Sequence, residues 1–451
     1  MENKNKDTMN TIFKTFMIPL AVLLCIASCG KARTTIIPPG SEVNDATVFE
    51  FKQNDGVWKM YKNSQEFFVK GAAANRYYKR VREYGGNAFR TYSTSEETTP
   101  SILGEAYRNG LYVNMGLSIG RERDGFDYDN EEKVTAQLER CRTLVRRFRN
   151  HPAVMCWSIG NEAESMYKNT KLWTAINDIA AMIHEEDPKH PVTTALAGAN
   201  VNNVSLIVSM APELDFLCVN SYYPNPLNIE SNLASAGWTK PWMITEFGQK
   251  GTWMNVPKTS FGTLIEETST EKAASYKEIY EKAVLANIDK GCVGSFAFVW
   301  GYQNHGDVLT WYGLFDKNGN SFPAVDELQY YWTGKYPEMR APVIADRSCM
   351  LLNGKKADES PVVAIDSENQ ASVEASSPCR AELKYNWLIY QEGTSSTDGS
   401  LPDGLPGLFQ DNSLASVTFK APSSAGNYRL CVFVTDSNHK VALAVIPFCV
   451  K

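Results

Sequence analysis

The chain has 451 residues, 43% of them hydrophobic and 21% charged, with a formal net charge of −6. That is too long for one ordinary domain, ordinary in composition for a folded protein, and too acidic to offer nucleic acid a basic face. Ten cysteines and five scattered histidines give no zinc-like spacing, so neither a metal nor any other cofactor is expected.

The N-terminus reads as a signal peptide. Lys4, Lys6 and Lys14 precede an apolar run from Phe16 to Ala27, too short to span a bilayer as a mature helix. It ends Ile26–Ala27–Ser28–Cys29–Gly30, which resembles a bacterial lipobox. That implies a leader over 1–28, a lipid on Cys29 and a tether over 29–46, unless the cysteine is incidental to ordinary cleavage. The expectation is an exported, membrane-anchored lipoprotein in the periplasm, outer membrane or cell surface of a Gram-negative bacterium.

Between Val48 and Glu66, Phe49 and Phe51, then Asp55–Gly56, then Trp58 and Met60, predict a β-hairpin. Alternation follows. Phe67–Gly71 reads as a strand and Arg76–Tyr84 as a helix stopped by Gly85–Gly86. Asn87–Tyr92 is a second strand, and a helix with Pro100 in its first turn ends at Gly110. Leu111–Leu117 is a third. Val134, Leu138, Cys141, Val145 and Phe148 then recur at helical spacing, with Glu131 and Glu132 at the positive end and Arg146, Arg147 and Arg149 at the other. Ahead of that helix, Asp127–x–Asp129–Asn130 admits calcium, but without the later glutamate of a calcium loop it reads more simply as a helix cap.

The fourth strand, Ala153–Ile159, ends in Gly160–Asn161–Glu162. A helix over Leu172–Glu186, a strand at Pro191–Leu196, a helix at Val204–Met210 and a strand at Asp215–Asn220 come next. Trp242–Glu246 is the seventh strand. Thr268–x–x–Glu271 opens a helix to Lys290, Gly294–Trp300 is the eighth strand, and a last helix covers Ala324–Trp332. Eight alternations predict an α/β fold, a (β/α)8 TIM barrel with its N-terminal hairpin over 47–336. Long loops after strands seven and eight hold Trp253, Trp311 and Tyr312.

After Pro337 the pattern changes to seven short alternating runs with turn signals, predicting an immunoglobulin-like β-sandwich over 342–451, with Trp387 mid-strand. Cys349, Cys379, Cys431 and Cys449 crowd this region and allow one or two disulfides, in pairings the sequence leaves open. Cys141, Cys156, Cys218 and Cys292 read as buried thiols.

Glu162 and Glu246 end two apolar strands, where an α/β barrel carries its chemistry. Two carboxyl groups across a barrel mouth are the minimum equipment for breaking a glycosidic bond. One protonates the leaving oxygen; the other meets the positive charge developing on the sugar. A lone glutamate after a strand is an ordinary cap or surface residue, whereas two in such surroundings point to an enzyme.

His151–Pro–Ala–Val–Met–Cys–Trp–Ser–Ile–Gly–Asn–Glu162 resembles the acid/base signature of family 2 glycoside hydrolases. Asp215–Phe–Leu–Cys–Val–Asn–Ser–Tyr–Tyr223 and Lys240–Pro–Trp–Met–Ile–Thr–Glu–Phe–Gly248 resemble the nucleophile half. The resemblance implies a clan-A barrel, retention of β-configuration, Glu162 as acid/base and Glu246 as nucleophile. It also implies Asn161 on the sugar 2-hydroxyl, Tyr222 rather than Tyr223 on the nucleophile, Arg90 beside it, and Trp300 flooring the subsite of the attacked sugar, with a surface ion pair for Arg90 and barrel-core packing for Trp300 as the plainer alternatives. Arg90 and Tyr222 would lower the nucleophile's pKa, and an apolar wall would raise the acid's.

The departures carry information too. Family members carry a large N-terminal sugar-binding sandwich, which a twenty-residue hairpin cannot replace. The histidine common after the strand-two arginine is absent from Arg90–Thr–Tyr–Ser–Thr–Ser95, where Arg–x–Tyr is more similar to β-1,3-glucan-acting enzymes and glucanosyltransferases of the same clan. The Asn–x–Lys pair that reads a glucuronide carboxylate is not evident after Glu246. Those absences turn the expectation from glucuronides and galactosides towards a β-glucan or its oligosaccharides, with β-1,3 linkage and transglycosylation open. Trp253, Trp311 and Tyr312 are expected to line the cleft. The rival is a non-catalytic glycan-binding protein on a barrel scaffold, which has no need of both glutamates together with Asn161, Tyr222 and Arg90.

Overall fold

The computed structural model describes residues 46–302, 308–394 and 403–451; the expected leader and Cys29 lie outside them. Strands β1 (Phe49–Asn54), β2 (Val57–Lys62) and β3 (Gln65–Glu66) form an antiparallel sheet. Its two-residue turn, Asp55–Gly56, has both φ angles positive, at 51° and 81°, the twist a tight hairpin favours. The sheet sends Phe49 and Met60 into the barrel floor against Val69, Ala88, Met155, Phe216, Met243 and Val293. It acts as a plug.

The chain then alternates strand and helix eight times: β4 (Val69–Ala74), α1 (Tyr78–Glu83), β5 (Ala88–Arg90), α2 (Thr99–Arg108), β6 (Tyr112–Leu117), α3 (Glu131–Phe148), β7 (Val154–Asn161), α4 (Lys171–Glu186), β8 (Val192–Ala197), α5 (Val201–Met210), β9 (Leu217–Asn220), α6 (Ile229–Ser235), β10 (Trp242–Phe247), α7 (Ser269–Ile279), β11 (Cys292–Trp300) and α8 (Pro323–Thr333). The eight strands β4–β11 close into a parallel barrel. Apolar residues recur along the helices because one stripe of each packs on the barrel wall; in α4 these are Leu172, Trp173, Ile176, Ile179 and Ile183.

The caps follow the sequence. Asn130 accepts from Lys133 N at 3.0 Å to start α3. Thr268 and Glu271 form the reciprocal box that starts α7. The expected single helix to Lys290 is not one helix. The α-helical turns stop at Ile279, a wider turn runs over Tyr280–Val284 and a tighter one over Leu285–Lys290 before Gly291 reverses the chain at φ 87°.

Beyond the barrel, β12 (Met350–Leu352), β13 (Val362–Val363), β14 (Glu368–Val373), β15 (Lys384–Gln391), β16 (Ser416–Lys420), β17 (Gly426–Thr435) and β18 (Val441–Val450) form two sheets, ordered β12-β14-β16 and β13-β18-β17-β15. Trp387 is fully buried in their shared core, its indole N–H on Leu414 O at 2.8 Å. Cys349, Cys379, Cys431 and Cys449 are all unpaired, which corrects the expectation of disulfides. Cys431 and Cys449 are buried, and the Cys379 sulfur accepts from Arg340 N at 3.1 Å. Each behaves as a small packing residue.

The sandwich grips the barrel through buried polar groups. Lys440 Nζ meets Asp326 Oδ1 at 2.5 Å, and Leu443 N donates to Ser269 Oγ at 2.9 Å. Arg429 reaches from β17 to Glu392 and to Glu266, which is itself bound to Lys272 and Thr310.

Candidate active site

The functional groups gather at the carboxyl rim, where strand pairing becomes irregular. Register shifts occur between Ser158 and Asn161 on β7, between Ile244 and Glu246 on β10, and between Phe298 and Trp300 on β11. Such bulges re-aim side chains at a barrel mouth. Gly160 takes φ 73°, and Glu162 takes a left-handed φ of 51°. A non-glycine residue tolerates that only where its surroundings hold it. Here the Glu162 amide is tied to Ala195 O at 2.8 Å.

Arg90 and Asn220 knit the site together. Arg90, 1% exposed, places Nη1 3.5 Å from Glu246 Oε1 and donates to Asn220 Oδ1 at 2.9 Å and Asn161 Oδ1 at 3.0 Å. The Asn220 amide donates to Glu162 Oε1 and to Asn161 Oδ1, both at 2.9 Å. The two glutamates are thus joined through one amide and one guanidinium. With its oxygen held twice, Asn161 has its own amide N–H to offer a ligand in the cleft.

Tyr222 donates its hydroxyl to Glu246 Oε2 at 2.6 Å, and its ring meets Trp253, Phe298 and Tyr312 edge-on. Tyr223 instead turns outward to Glu278. Tyr92 stacks on the Arg90 guanidinium at 4.5 Å and lies close enough to favour the charged form of Glu246, although the two make no well-aligned hydrogen bond.

The electrostatics differ from expectation. Burial raises the Glu246 carboxyl above the usual range; Arg90 and the two phenols only offset this, and the Glu162 charge adds to it. Glu162 is partly buried and lines the open cleft. Two residues on, burial pushes Glu164 up to about 7, with Ala197 N donating to it at 2.6 Å.

Around these groups opens a cleft of about 1240 Å³ lined by Asn161, Glu162, Tyr222, Glu246, Trp253, Phe298 and Tyr312, among others. Trp253 stands 61% exposed at its lip, stacked on Tyr312, whose hydroxyl accepts from Thr252 N at 3.0 Å. Met166 forms part of the opposite lip and is 75% exposed.

Two expected residues lie elsewhere. Trp300 does not floor the site: it is fully buried against Tyr84, Phe315 and Trp332 on the outer side of the barrel. The register shift after Phe298 breaks the alternation that would have put both side chains inside, and Phe298 faces the cleft instead. Trp311 is also buried, its indole N–H on Lys250 O at 2.7 Å, and at the bend the two residues share it is Tyr312 that takes the cleft side. Sequence reasoning missed Asn220, which closes an apolar strand just as Asn161 does. Tyr92, two residues after Arg90, was given no place beside the nucleophile.

Residues 97–334 match the family described as glycosyl hydrolases family 2, TIM barrel domain. A β-glucuronidase of Felis catus is 34% identical over 149 residues, 32% of this chain and 20% of that protein. One of Mus musculus is 33% identical over 229 residues, 46% of this chain and 30% of that protein. The chain therefore spans less than a third of the length of these curated relatives. Among solved structures, a β-D-glucuronidase of Dictyoglomus thermophilum superposes with a TM-score of 0.48 at 19% identity, covering 64% of this chain and 54% of that one. A β-glucuronidase of Bacteroides uniformis gives 0.47 at 14%, covering 89% and 48%. With more than half of its length inside the family match, the chain belongs to glycosyl hydrolase family 2 and carries that family's TIM barrel domain.

Proposed function

We propose that the protein is a retaining β-glycoside hydrolase that works by double displacement. Glu246 attacks the anomeric carbon while Glu162 protonates the departing oxygen. Glu162 then takes a proton from water, which releases the sugar from Glu246 with its configuration retained. The observation that carries this reading is the Arg90–Asn220 bridge, which holds both carboxyl groups at one mouth. Arg90 and Tyr222 keep a buried nucleophile ionisable, and Asn161 offers an amide to the sugar 2-hydroxyl.

For substrate we favour a β-glucan or its oligosaccharides, because the cleft exceeds about 1,000 Å³, the upper end for small-ligand sites, and carries an exposed tryptophan at its lip. Transfer to a second sugar in place of water belongs to the same chemistry. A second reading is a glucuronide. It is favoured by the β-glucuronidases among the relatives and by Arg123, a cleft-lining cation with no ion pair among the described residues.

Aryl β-glucoside, aryl β-glucuronide and β-1,3-glucan turnover by wild type and Glu246→Gln tests all of this. Glycan binding without turnover of any of them by wild type would leave the non-catalytic rival standing. We further propose that Cys29 anchors the mature chain in a membrane, resting on the leader sequence alone; palmitate should label wild type and not Cys29→Ala.

A further inference from the structure

A second groove, of about 620 Å³, runs over the tips of β5, β6 and β7. Tyr92 and Asn161 line both it and the main cleft, so the two are continuous. On the hydrolase reading, the shared residues give it a direction. Tyr92 lies beside Glu246 and Asn161 beside the expected 2-hydroxyl, so the groove leads away from the attacked sugar rather than from the leaving group.

Its walls are built in advance. Gly120 N donates to Gln137 Oε1 at 2.6 Å, Tyr128 donates to Gly120 O at 2.6 Å, and Arg140 donates to Ser118 O at 2.6 Å. Phe126 lies flat over Gly120, where a Cβ would fall 2.1 Å from the ring, and it lines the groove half-buried. Around that ring stand Arg121, paired to Asp124 at 2.6 Å, and Lys133.

An aromatic face ringed by charges of both signs suits a neutral sugar ring, whose C–H face is apolar and whose hydroxyls both donate and accept. An isolated anion would meet Asp124. We infer that this groove is a subsite for the next sugar on the non-reducing side of the attacked one. The protein then releases disaccharides or longer products from a neutral β-linked glycan and does not simply trim single terminal sugars. This rests on the hydrolase reading above, and it adds a direction and a chain length to it.

The test compares aryl β-glycosides of one sugar and of a β-linked disaccharide ending in that sugar, using the full chain. Wild type should cleave the disaccharide's aryl bond with the higher kcat/KM. Phe126→Ala should lower that value roughly tenfold, the worth of one aromatic contact, and leave the monosaccharide substrate unchanged. Lys133→Met should lower it in the same selective way. Equal losses on both substrates, or a wild type that removes only single sugars, would overturn the subsite. If no glycoside is turned over, the hydrolase reading fails instead. Trisaccharide binding by calorimetry then decides the groove: tight wild-type binding weakened by Phe126→Ala supports it, and equal binding refutes it.

Discussion

Removing the phenol oxygen from Tyr222 is the cleanest perturbation the site allows. Tyr222→Phe keeps the ring that packs on Trp253, Phe298 and Tyr312 and deletes one hydrogen bond, 2.6 Å long and buried at both ends. A hydrogen bond to a charged group is worth about 1.5–3 kcal/mol, and the short, enclosed geometry places this one in the upper half of that range. The loss falls on the ionised form of Glu246, which burial already disfavours. The sign follows: without the phenol the carboxyl holds its proton to higher pH, so the acid limb of kcat/KM moves up. On that limb the expected loss is roughly 30- to 150-fold, the equivalent of about 2–3 kcal/mol; on the plateau, where the carboxyl is ionised anyway, it is smaller. Initial rates on an aryl β-glycoside across pH give both quantities. Tyr223→Phe is the control, since that hydroxyl faces Glu278. An unmoved acid limb, or a Tyr223→Phe loss as large, would refute the assignment.

Glu162→Ala should lose roughly 10²–10⁴-fold on substrates with poor leaving groups and far less on activated ones. Azide should rescue it with a β-glycosyl azide as product, whereas an α-product would exchange the two roles. Glu164 couples stability to pH. Burial lifts its folded pKa to about 7, above the ordinary glutamate value of about 4.5, so the folded state holds the proton more tightly. That stabilisation is full below about pH 4.5 and is lost as pH rises through 7, a fall of about 3 kcal/mol. Thermal midpoints across that window should drop for wild type and drop less for Glu164→Gln; parallel curves would refute the coupling. Arg429→Met leaves Glu392 without its ion pair and Glu266 with Lys272 alone. Breaking a buried pair costs about 3–5 kcal/mol, and denaturant titration should recover part of it in Arg429→Met with Glu392→Gln, the carboxylate left unpaired. An unchanged midpoint would show the pair to be idle.

The barrel was legible because each strand buried on both faces reads as a short apolar run and each helix carries one apolar stripe between glycine and proline stops. Glu162 and Glu246 were legible as strand-end carboxylates, Arg90, Tyr222 and Asn161 came with the family resemblance, and the structure brings all five together. Trp300 was misplaced for a local reason. The family resemblance assigned it by its place at the end of the eighth strand, and β11 breaks register at that point, so Phe298 takes the cleft side. Asn220 was missed because an amide ending a strand looks like a cap, and only the fold brings Arg90 and Glu162 to its two ends. The Glu246 pKa was read from its partners alone, whereas burial is the larger influence. Depth in the fold is the quantity a linear pattern carries least well.

The sandwich has a closer tie to the cleft than an accessory module needs. Glu266, fully buried, accepts from Thr310 Oγ1 at 2.7 Å and from Lys272 at 2.5 Å, and faces Arg429 of β17 at 3.7 Å. Thr310 immediately precedes Trp311, whose indole pins Lys250, and Tyr312, whose hydroxyl holds Thr252 beside the exposed Trp253. The aromatic lip is therefore tied to the C-terminal sheet through the Arg429–Glu266 ion pair and the hydrogen bonds that follow from it. A site on loops is only as accurate as its support. Here the loops after β10 and β11 are clamped from both sides, by the barrel beneath and by the sandwich behind, so the aromatic wall reaches the sugar already ordered. Losing the sandwich would act on this wall before it acted on Glu162 or Glu246, which the barrel strands hold by themselves.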